Sequence, residues 1–358
     1  EYEAIRASFR WRTPDHFNFA VDVVDRWAQQ SPEATALRWV DGSVEHRLTF
    51  ANISRRSSRA ANVLAQAGVR RGDRVILMLG RHIAWWETFT ACLRMGAVAA
   101  PATTQLSPND LAYRIKASGA VCLITDDAGA AKADQIDDAG SLSGRITVDG
   151  PRPGWTTYED AMGASGEDFQ SAETEATADA ICYFTSGTTG YPKMTIHSQA
   201  SYGIGHETTG RHWLDLSPGD LHWNISDTGW AKAAWSSYFA PWICGATVFV
   251  HGAEGFSPAT VLKTLDTEPI TTLCAAPTIY RMLVLEDLSK YDFSALRTCV
   301  SAGEPLNPEI IETWRNATGL TIRDGYGQTE TVLLCGTFPG LPQKQGSMGR
   351  PAPGFDVQ

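Results

Sequence analysis

Short, uninterrupted apolar runs separated by segments of helical periodicity are the feature that most constrains the fold of this 358-residue chain. Clear examples are VILML at 75–79, AVCLIT at 120–125, ATVFVH at 246–251 and TTLCAAP at 271–277. A strand that is apolar at every position is buried on both faces, which is typical of parallel sheets covered by helices on both sides. The alternation therefore predicts an α/β fold with mostly parallel sheets.

Local signals mark where helices begin. Thr49 precedes a long stretch of helical periodicity. Ser107 is a good N-cap, Pro108 suits the first helical position and Asp110 lies in the first turn, so a helix is expected from there to about Gly119.

Composition excludes several classes of protein. The apolar fraction is 43%, there are 12 tryptophans and the net charge is −10. A chain with this much core material is not intrinsically disordered, and a net negative charge argues against non-specific nucleic-acid binding. The longest uncharged stretch, 233–250, is interrupted by Pro241 and Gly245 and predicts a helix, a break and a strand rather than a membrane span.

The cysteines and the amino terminus bear on location. The seven cysteines include no C-x-x-C pair, and most of them lie in apolar runs, which predicts buried, reduced thiols. The first residues contain no apolar segment of the kind found in a secretory signal. We therefore expect a cytoplasmic protein.

The chain divides by composition near residue 180. Residues 150–179 are rich in proline, glycine and acidic residues and predict a surface connection with one short helix. This gives a first α/β unit at about 1–179 and a second at 180–345, followed by a loop-like and then strand-like segment at 346–358.

The strongest motif is T-S-G-T-T-G-Y-P-K at 185–193, directly after the apolar run ICYF. Its glycines allow close approach of a ligand, its hydroxyls and amides suit phosphate oxygens, and Lys193 neutralises phosphate charge. Pro192 and Met194 rule out a Walker-type loop, and eight specified positions make a chance match to an ordinary polar turn very unlikely. The candidate phosphate-binding residues are Thr185, Ser186, Gly187, Thr188, Thr189, Gly190 and Lys193.

With this loop the sequence resembles the AMP-forming adenylating superfamily of acyl-CoA synthetases, luciferases and peptide-synthetase adenylation domains. The resemblance implies that the loop holds the β- and γ-phosphates of ATP. It also implies an α/β fold of two packed, mostly parallel sheets flanked by helices, which is the large N-terminal domain of that superfamily, here spanning 1–358. The segment 346–358 would be the beginning of a β-barrel subdomain.

A second motif, D-G-Y-G-Q-T-E, matches another pattern of the same family. Asp324 would accept from the adenine amino group, Tyr326 would stack on adenine, and Thr329 would lie where the α-phosphate meets the attacking carboxylate. Glu330 would bind Mg²⁺. By itself this is a common tyrosine–glycine turn, but together with the upstream loop it indicates a nucleotide site. The candidate residues are Asp324, Gly325, Tyr326, Gly327, Gln328, Thr329 and Glu330.

The turn S-A-G-E-P at 301–305 follows another apolar run. A glycine at the carboxyl end of a parallel strand exposes backbone to a ligand, and the resemblance implies that Gly303, Glu304 and Pro305 contact adenine. A plain strand-to-helix turn capped by Glu304 is the alternative.

The segment S-D-T-G-W-A-K-A-A-W, which begins at residue 226, most resembles the corresponding segment of the medium-chain acyl-CoA synthetases. That resemblance implies that Trp230, with Gly303, shapes the carboxylate pocket, although aromatic residues at helical spacing also suit a core. It further implies that Gln105 contacts CoA, where the residues alone show only a polar position after a strand. His197 is left open between a phosphate contact and a structural role.

The function implied is an acid–thiol ligase that uses ATP, Mg²⁺ and coenzyme A. A hydrophobic carboxylic acid would be converted to acyl-AMP, with Lys193, Thr329 and Glu330 as catalytic groups, and then to a CoA thioester. The family's ribose-binding segment, hinge and small C-terminal lid domain are not in these 358 residues, so we expect weak binding and slow turnover. The alternatives are an adenylate-binding module without catalysis and an adenylation domain that loads a carrier protein.

Overall fold

The computed structural model of the chain describes residues 1–137, 142–185, 190–253, 255–344 and 346–357. The strands, numbered along the chain, are β1 (Thr35–Asp41), β2 (Val44–Thr49), β3 (Arg74–Met78), β4 (Val98–Pro101), β5 (Cys122–Thr125), β6 (Gly144–Thr147), β7 (Thr156–Thr157), β8 (Asp179–Thr185), β9 (Lys193–Ser198), β10 (Leu221–Ile225), β11 (Thr247–His251), β12 (Thr272–Ala275), β13 (Thr298–Ala302), β14 (Ile322–Gly327), β15 (Leu333–Gly336) and β16 (Arg350–Pro351). The α-helices are α1 (Tyr2–Ser8), α2 (Arg26–Gln30), α3 (Phe50–Gln66), α4 (Ile83–Met95), α5 (Pro108–Ser118), α6 (Asp127–Ala133), α7 (Tyr158–Ala164), α8 (Gln199–Gly203), α9 (His206–Thr208), α10 (Ala231–Ala234), α11 (Ala240–Ile243), α12 (Pro258–Thr267), α13 (Pro277–Leu283) and α14 (Pro308–Thr318). Three π-helical segments (Ala20–Asp25, Thr209–Trp213 and Trp235–Phe239) and a 3₁₀ turn (Leu288–Lys290) complete the helical elements of the described residues.

Within the described ranges the strands form two sheets. One has seven strands in the order β7-β6-β5-β3-β4-β8-β9, and the other has nine in the order β16-β15-β14-β13-β12-β10-β11-β1-β2. The interior pairs are parallel, whereas β9, β2, β15 and β16 are added antiparallel at the edges. The predicted class, two mostly parallel sheets flanked by helices, is confirmed.

The sheets do not divide at residue 180, where the composition changes. β1 pairs with β11, so an early segment joins the nine-stranded sheet. β8 pairs with β4, so a segment after the connection joins the seven-stranded sheet. The predicted units at 1–179 and 180–345 therefore differ from the observed sheets, because strand pairing depends on tertiary packing that composition does not encode. β16 pairs with β15 at a sheet edge, and the β-barrel subdomain stays a prediction.

One core joins the two sheets. Leu37 and Val248 of the nine-stranded sheet belong to the same buried cluster as Leu77 and Ile181 of the seven-stranded sheet. α4 lies within this cluster and is buried around nearly its whole circumference. Burial of apolar surface stabilises the protein in proportion to area, so the two sheets stabilise each other.

Two charged side chains buried in this core are each paired with an opposite charge. Glu87 of α4 is fully buried and contacts Arg56 and the Tyr158 hydroxyl. Arg94 donates to both carboxylate oxygens of Asp25, at 2.7 and 2.8 Å. Buried charges are costly unless they are paired in this way.

Several local expectations are confirmed. Thr49 and Ser107 both form capping boxes at the starts of α3 and α5. The cysteines are all free and buried. Pro241 does not break the predicted helix, because the π-helical segment Trp235–Phe239 precedes it and the break comes only at Gly245. Among the described helices, none has the length and apolar character needed to cross a membrane.

Candidate functional site

A crevice of about 460 Å³ lies at the carboxyl ends of strands from both sheets. Parallel strands β12, β13 and β14 end at this edge, which is where open α/β sheets bind ligands. β8 of the other sheet ends opposite them. The described residues that line the crevice are Thr185, Trp213, Trp230, Ala231, Lys232, Trp235, Ser236, Cys274, Ala302, Gly303, Gly327, Gln328, Thr329 and Glu330.

The segment predicted to bind phosphate connects β8 to β9, which pair antiparallel as a hairpin. Thr185 and Lys193 are paired at its base, and Thr185 lines the crevice. Tyr113 of α5 stacks on Tyr191 with ring centroids 5.0 Å apart and donates its hydroxyl to the Pro192 carbonyl at 2.9 Å. Lys193 is exposed. The predicted residues Ser186, Gly187, Thr188 and Thr189 lie outside the described residues, and Gly190 has φ of +101°, which glycine favours.

β9 and α8, which follow the loop, contact the turn at 328–330, here called the acidic turn. The Thr329 carbonyl oxygen lies 2.6 Å from His197 Nε2 and accepts from the Tyr202 hydroxyl, also at 2.6 Å. Burial lowers the pKa of His197, so the neutral ring donates through Nε2. His197 is therefore a positioning residue here. Through His197 and Tyr202, the segment that directly follows the first motif contacts the second motif at the Thr329 carbonyl.

The remaining residues of D-G-Y-G-Q-T-E are distributed along one edge. Gly327, Gln328, Thr329 and Glu330 line the crevice. Asp324, Gly325 and Tyr326 belong to β14 and are buried or half-buried behind them. Burial raises the pKa of Asp324 to about 6, while the Gly325 amide donates to its carboxylate at 3.0 Å.

Gly303, Glu304 and Pro305 of the S-A-G-E-P turn are exposed at the same edge, whereas Ser301 and Ala302 are buried at the end of β13. Gly303 lines the crevice with φ of +118°, and a Cβ there would meet nothing within 4 Å. Its backbone conformation, rather than lack of space, is what favours glycine. Glu304 forms an ion pair with Arg281 at 3.4 Å, and Pro305 is exposed. An exposed backbone at this position suits the predicted adenine contact, which stays a prediction.

Trp230 lies at the mouth of the crevice and is 62% exposed, so it is not a core tryptophan. The turn before it packs against the loop that carries Gln105. Thr103 donates to Asp227 at 3.0 Å, and a Cβ on Gly229 would lie 2.1 Å from the Thr103 amide nitrogen. Gln105 is exposed beside this contact, and its contact with CoA stays a prediction.

Sequence reasoning missed part of the crevice wall. Lys232, Trp213 and Trp235 line it. Lys232 and Trp235 lie in a stretch of alanines and aromatic residues that predicts core, and Trp213 lies outside the recognised motifs. The signal that could have identified Lys232 is a single lysine between the alanines and tryptophans of one helical stretch. A buried charge is costly unless it has a partner, so a lysine in such a stretch suggests a binding site.

The donor set at the acidic turn fits a phosphate-bound Mg²⁺ rather than a metal held by protein alone. Among the described residues, no group of three or more histidine, cysteine or carboxylate side chains could hold a metal ion. Glu330 is exposed at the crevice. One carboxylate together with substrate phosphates is how Mg²⁺ is commonly held.

Known proteins resemble the chain over nearly all of its length. The family model for the AMP-binding enzyme matches residues 24–358. Human mitochondrial acyl-coenzyme A synthetase ACSM3 is 46% identical over 366 residues, covering 100% of this chain and 62% of the relative. The crystal structure of Brucella canis acyl-CoA synthetase superimposes with a TM-score of 0.92 at 26% identity, covering 99% of this chain and 67% of that one. The anthranilate CoA ligase AuaEII, in complex with anthranoyl-AMP, gives a TM-score of 0.88 at 27% identity, covering 95% and 65%.

Two points follow from these matches. The chain spans 62% of the length of the ACSM3 relative. The expected cytoplasmic location is wrong, since the relative is a mitochondrial protein. Buried, unpaired cysteines indicate a chain without disulfides, and that property does not distinguish one reducing compartment from another.

Proposed function

The chain belongs to the AMP-binding enzyme family, and from this premise we propose that it takes part in ATP-dependent activation of a hydrophobic carboxylic acid and its transfer to coenzyme A. The observation that carries the proposal is the meeting of the β8–β9 hairpin with the Gln328–Glu330 turn at the Thr329 carbonyl. A triphosphate in the crevice would contact both motifs.

The chemistry has two steps. A carboxylate oxygen of the acid forms a bond to the α-phosphorus of ATP, the bond from that phosphorus to the β-phosphate oxygen breaks, and pyrophosphate leaves. The sulfur of the CoA thiolate then bonds to the acyl carbon, and AMP leaves with the electrons of the broken bond. Alignment and preorganised charge are the main contributions a protein makes to reactions of this type.

Each candidate site residue would have a separate role in these two steps. Lys193 and the loop donors would hold the β- and γ-phosphates, and Thr329 would place its hydroxyl beside the α-phosphate. Glu330 would hold Mg²⁺, which when bound supplies positive charge to the phosphate oxygens. The clamp of His197 and Tyr202 keeps the Thr329 backbone fixed while the reacting groups are aligned.

The wall of the crevice supports an apolar acid. Three indoles line it, those of Trp213, Trp230 and Trp235, together with the small residues Ala231 and Ala302. Indole faces offer large apolar area with little loss of side-chain freedom. Medium-chain aliphatic acids and flat aromatic acids both suit such a wall.

The test is acid-dependent exchange of labelled pyrophosphate into ATP by the 358-residue chain, with hexanoate and Mg²⁺. We expect slow but acid-dependent exchange. It should fall at least about ten-fold in Glu330→Gln, because this variant lacks the carboxylate that would hold Mg²⁺. Glu312→Gln on the surface of α14 is the matched control and should exchange like the unaltered chain. Binding of ATP and hexanoate without any exchange would contradict activation and support an adenylate-binding module.

A further inference from the structure

Lys232 differs from the other charged groups held inside the molecule. Lys232 lines the crevice, and its Nζ donates to the Ala302 carbonyl oxygen at 3.0 Å. Among the described residues, no carboxylate lies within ion-pair distance of it, whereas buried Glu87 and Arg94 each have an opposite charge in contact. An ammonium has three N–H donors, and one neutral carbonyl is a poor partner for a desolvated cation.

In the described part of the chain, the acidic groups around Lys232 do not form an ion pair with its ammonium. The nearest acidic groups, Asp324 and Glu304, attract Lys232 only from beyond contact distance, while burial lowers its pKa. Asp324 is itself buried at β14, and Glu304 is paired with Arg281. The free donors of the ammonium are therefore available to a group that enters the crevice.

The position of Lys232 identifies that group. Ala302, its carbonyl partner, ends β13 next to Gly303, while Thr329 and Glu330 line the same crevice. The indoles of Trp213 and Trp235 are part of the same wall and suit the apolar part of an acid. An acid with its chain against the indoles would bring its carboxylate close to the ammonium.

We propose that Lys232 binds the carboxylate of the acid substrate and holds it for attack on the α-phosphate. This inference rests on the proposed function and adds a substrate-binding residue to it. In this role Lys232 binds as the ammonium and transfers no proton. It forms a charge-assisted hydrogen bond with the carboxylate, and after adenylation it donates to the carbonyl oxygen of the acyl-adenylate, which carries no net charge at the acyl group.

The experiment compares a carboxylate with its uncharged isostere. Hexanoate and hexanamide are titrated against the 358-residue chain in the presence of AMP, and binding is followed by tryptophan fluorescence, because three indoles line the crevice. The unaltered chain should bind hexanoate at least about ten-fold more tightly than hexanamide, the scale of one charge-assisted hydrogen bond. Lys232→Met should bind both equally, and Lys232→Arg should keep the preference.

Controls separate charge from folding. Lys232→Gln can still donate to Ala302 and should lose the preference like Lys232→Met, which covers the case in which the methionine variant does not fold. Lys290→Met removes a surface lysine paired with Asp287 and should keep the preference. Retention of the carboxylate preference in Lys232→Gln, or its absence in the unaltered chain, would overturn the inference. Pyrophosphate exchange reports separately on the proposed function, so the two failures are distinguishable.

Discussion

At the scale of single residues, the environment of a side chain decides what its chemistry can do. The motif D-G-Y-G-Q-T-E could be identified from sequence, and it assigned Asp324 to adenine. The burial of Asp324, which raises the pKa of its carboxyl group to about 6, could not be predicted from sequence. That value depends on neighbours from other strands, which the sequence does not bring together.

The raised pKa of Asp324 gives a prediction about stability and pH. The carboxyl group titrates near 4 in the unfolded chain and near 6 in the folded protein, so ionisation above pH 6 destabilises the fold. Relative to Asp324→Asn, the unaltered chain should gain up to about 3 kcal/mol of unfolding free energy as the pH falls from 7 to 4. Urea unfolding of both proteins across this range measures the difference, and a constant difference would contradict the assignment.

Tyr202 provides a second prediction at this scale. Tyr202→Phe removes the hydroxyl that donates to the Thr329 carbonyl, so we expect a loss of about 1 kcal/mol in unfolding free energy and weaker binding of ATP. Tyr183→Phe is the matched control, because its buried hydroxyl has no hydrogen-bond partner in the described part of the chain. Equal effects of the two substitutions on ATP binding, measured by calorimetry, would show that the clamp does not position the turn.

At the scale of elements, the sequence predicted individual strands and helix starts well, because apolar runs and capping residues act locally. It did not predict where the elements meet. The contact of the 226–230 turn with the loop at 102–105 depends on Gly229, whose Cβ would overlap the Thr103 backbone. Nothing near Gly229 in sequence indicates that neighbour. Lys232 was missed because the helical stretch around it predicts core, although a single lysine in that stretch was a usable signal.

The close approach at Gly229 is testable by substitution. Gly229→Ala should lower the unfolding free energy by about 1–3 kcal/mol through overpacking, and it should displace Trp230 and weaken hexanoate binding. Gly163→Ala in α7 is the control, since nothing lies within 4 Å of a Cβ there and alanine favours the helix by about 0.5–1 kcal/mol. Thermal melts with hexanoate titrations give both quantities. An unchanged affinity for hexanoate in a destabilised Gly229→Ala protein would show that the turn at 226–230 does not shape the hexanoate site.

At the scale of the whole molecule, two sheets share one buried cluster, and early and late segments of the chain cross between them. The division predicted from composition did not anticipate this, because a linker in sequence is not always a boundary in space. A shared core predicts that both sheets unfold together. Far-ultraviolet circular dichroism and tryptophan fluorescence should give coincident urea transitions, and two separated transitions would contradict a common core.

The central claim is that the loop at 185–193 and the turn at 328–330 bind the same triphosphate. A crystal structure of this chain with Mg²⁺ and a non-hydrolysable ATP analogue tests it most directly. We predict adenine beside Gly303 and Tyr326, with the phosphates between Lys193 and Glu330. A nucleotide bound elsewhere, or phosphates that contact one of these segments and leave the other free, would contradict the account.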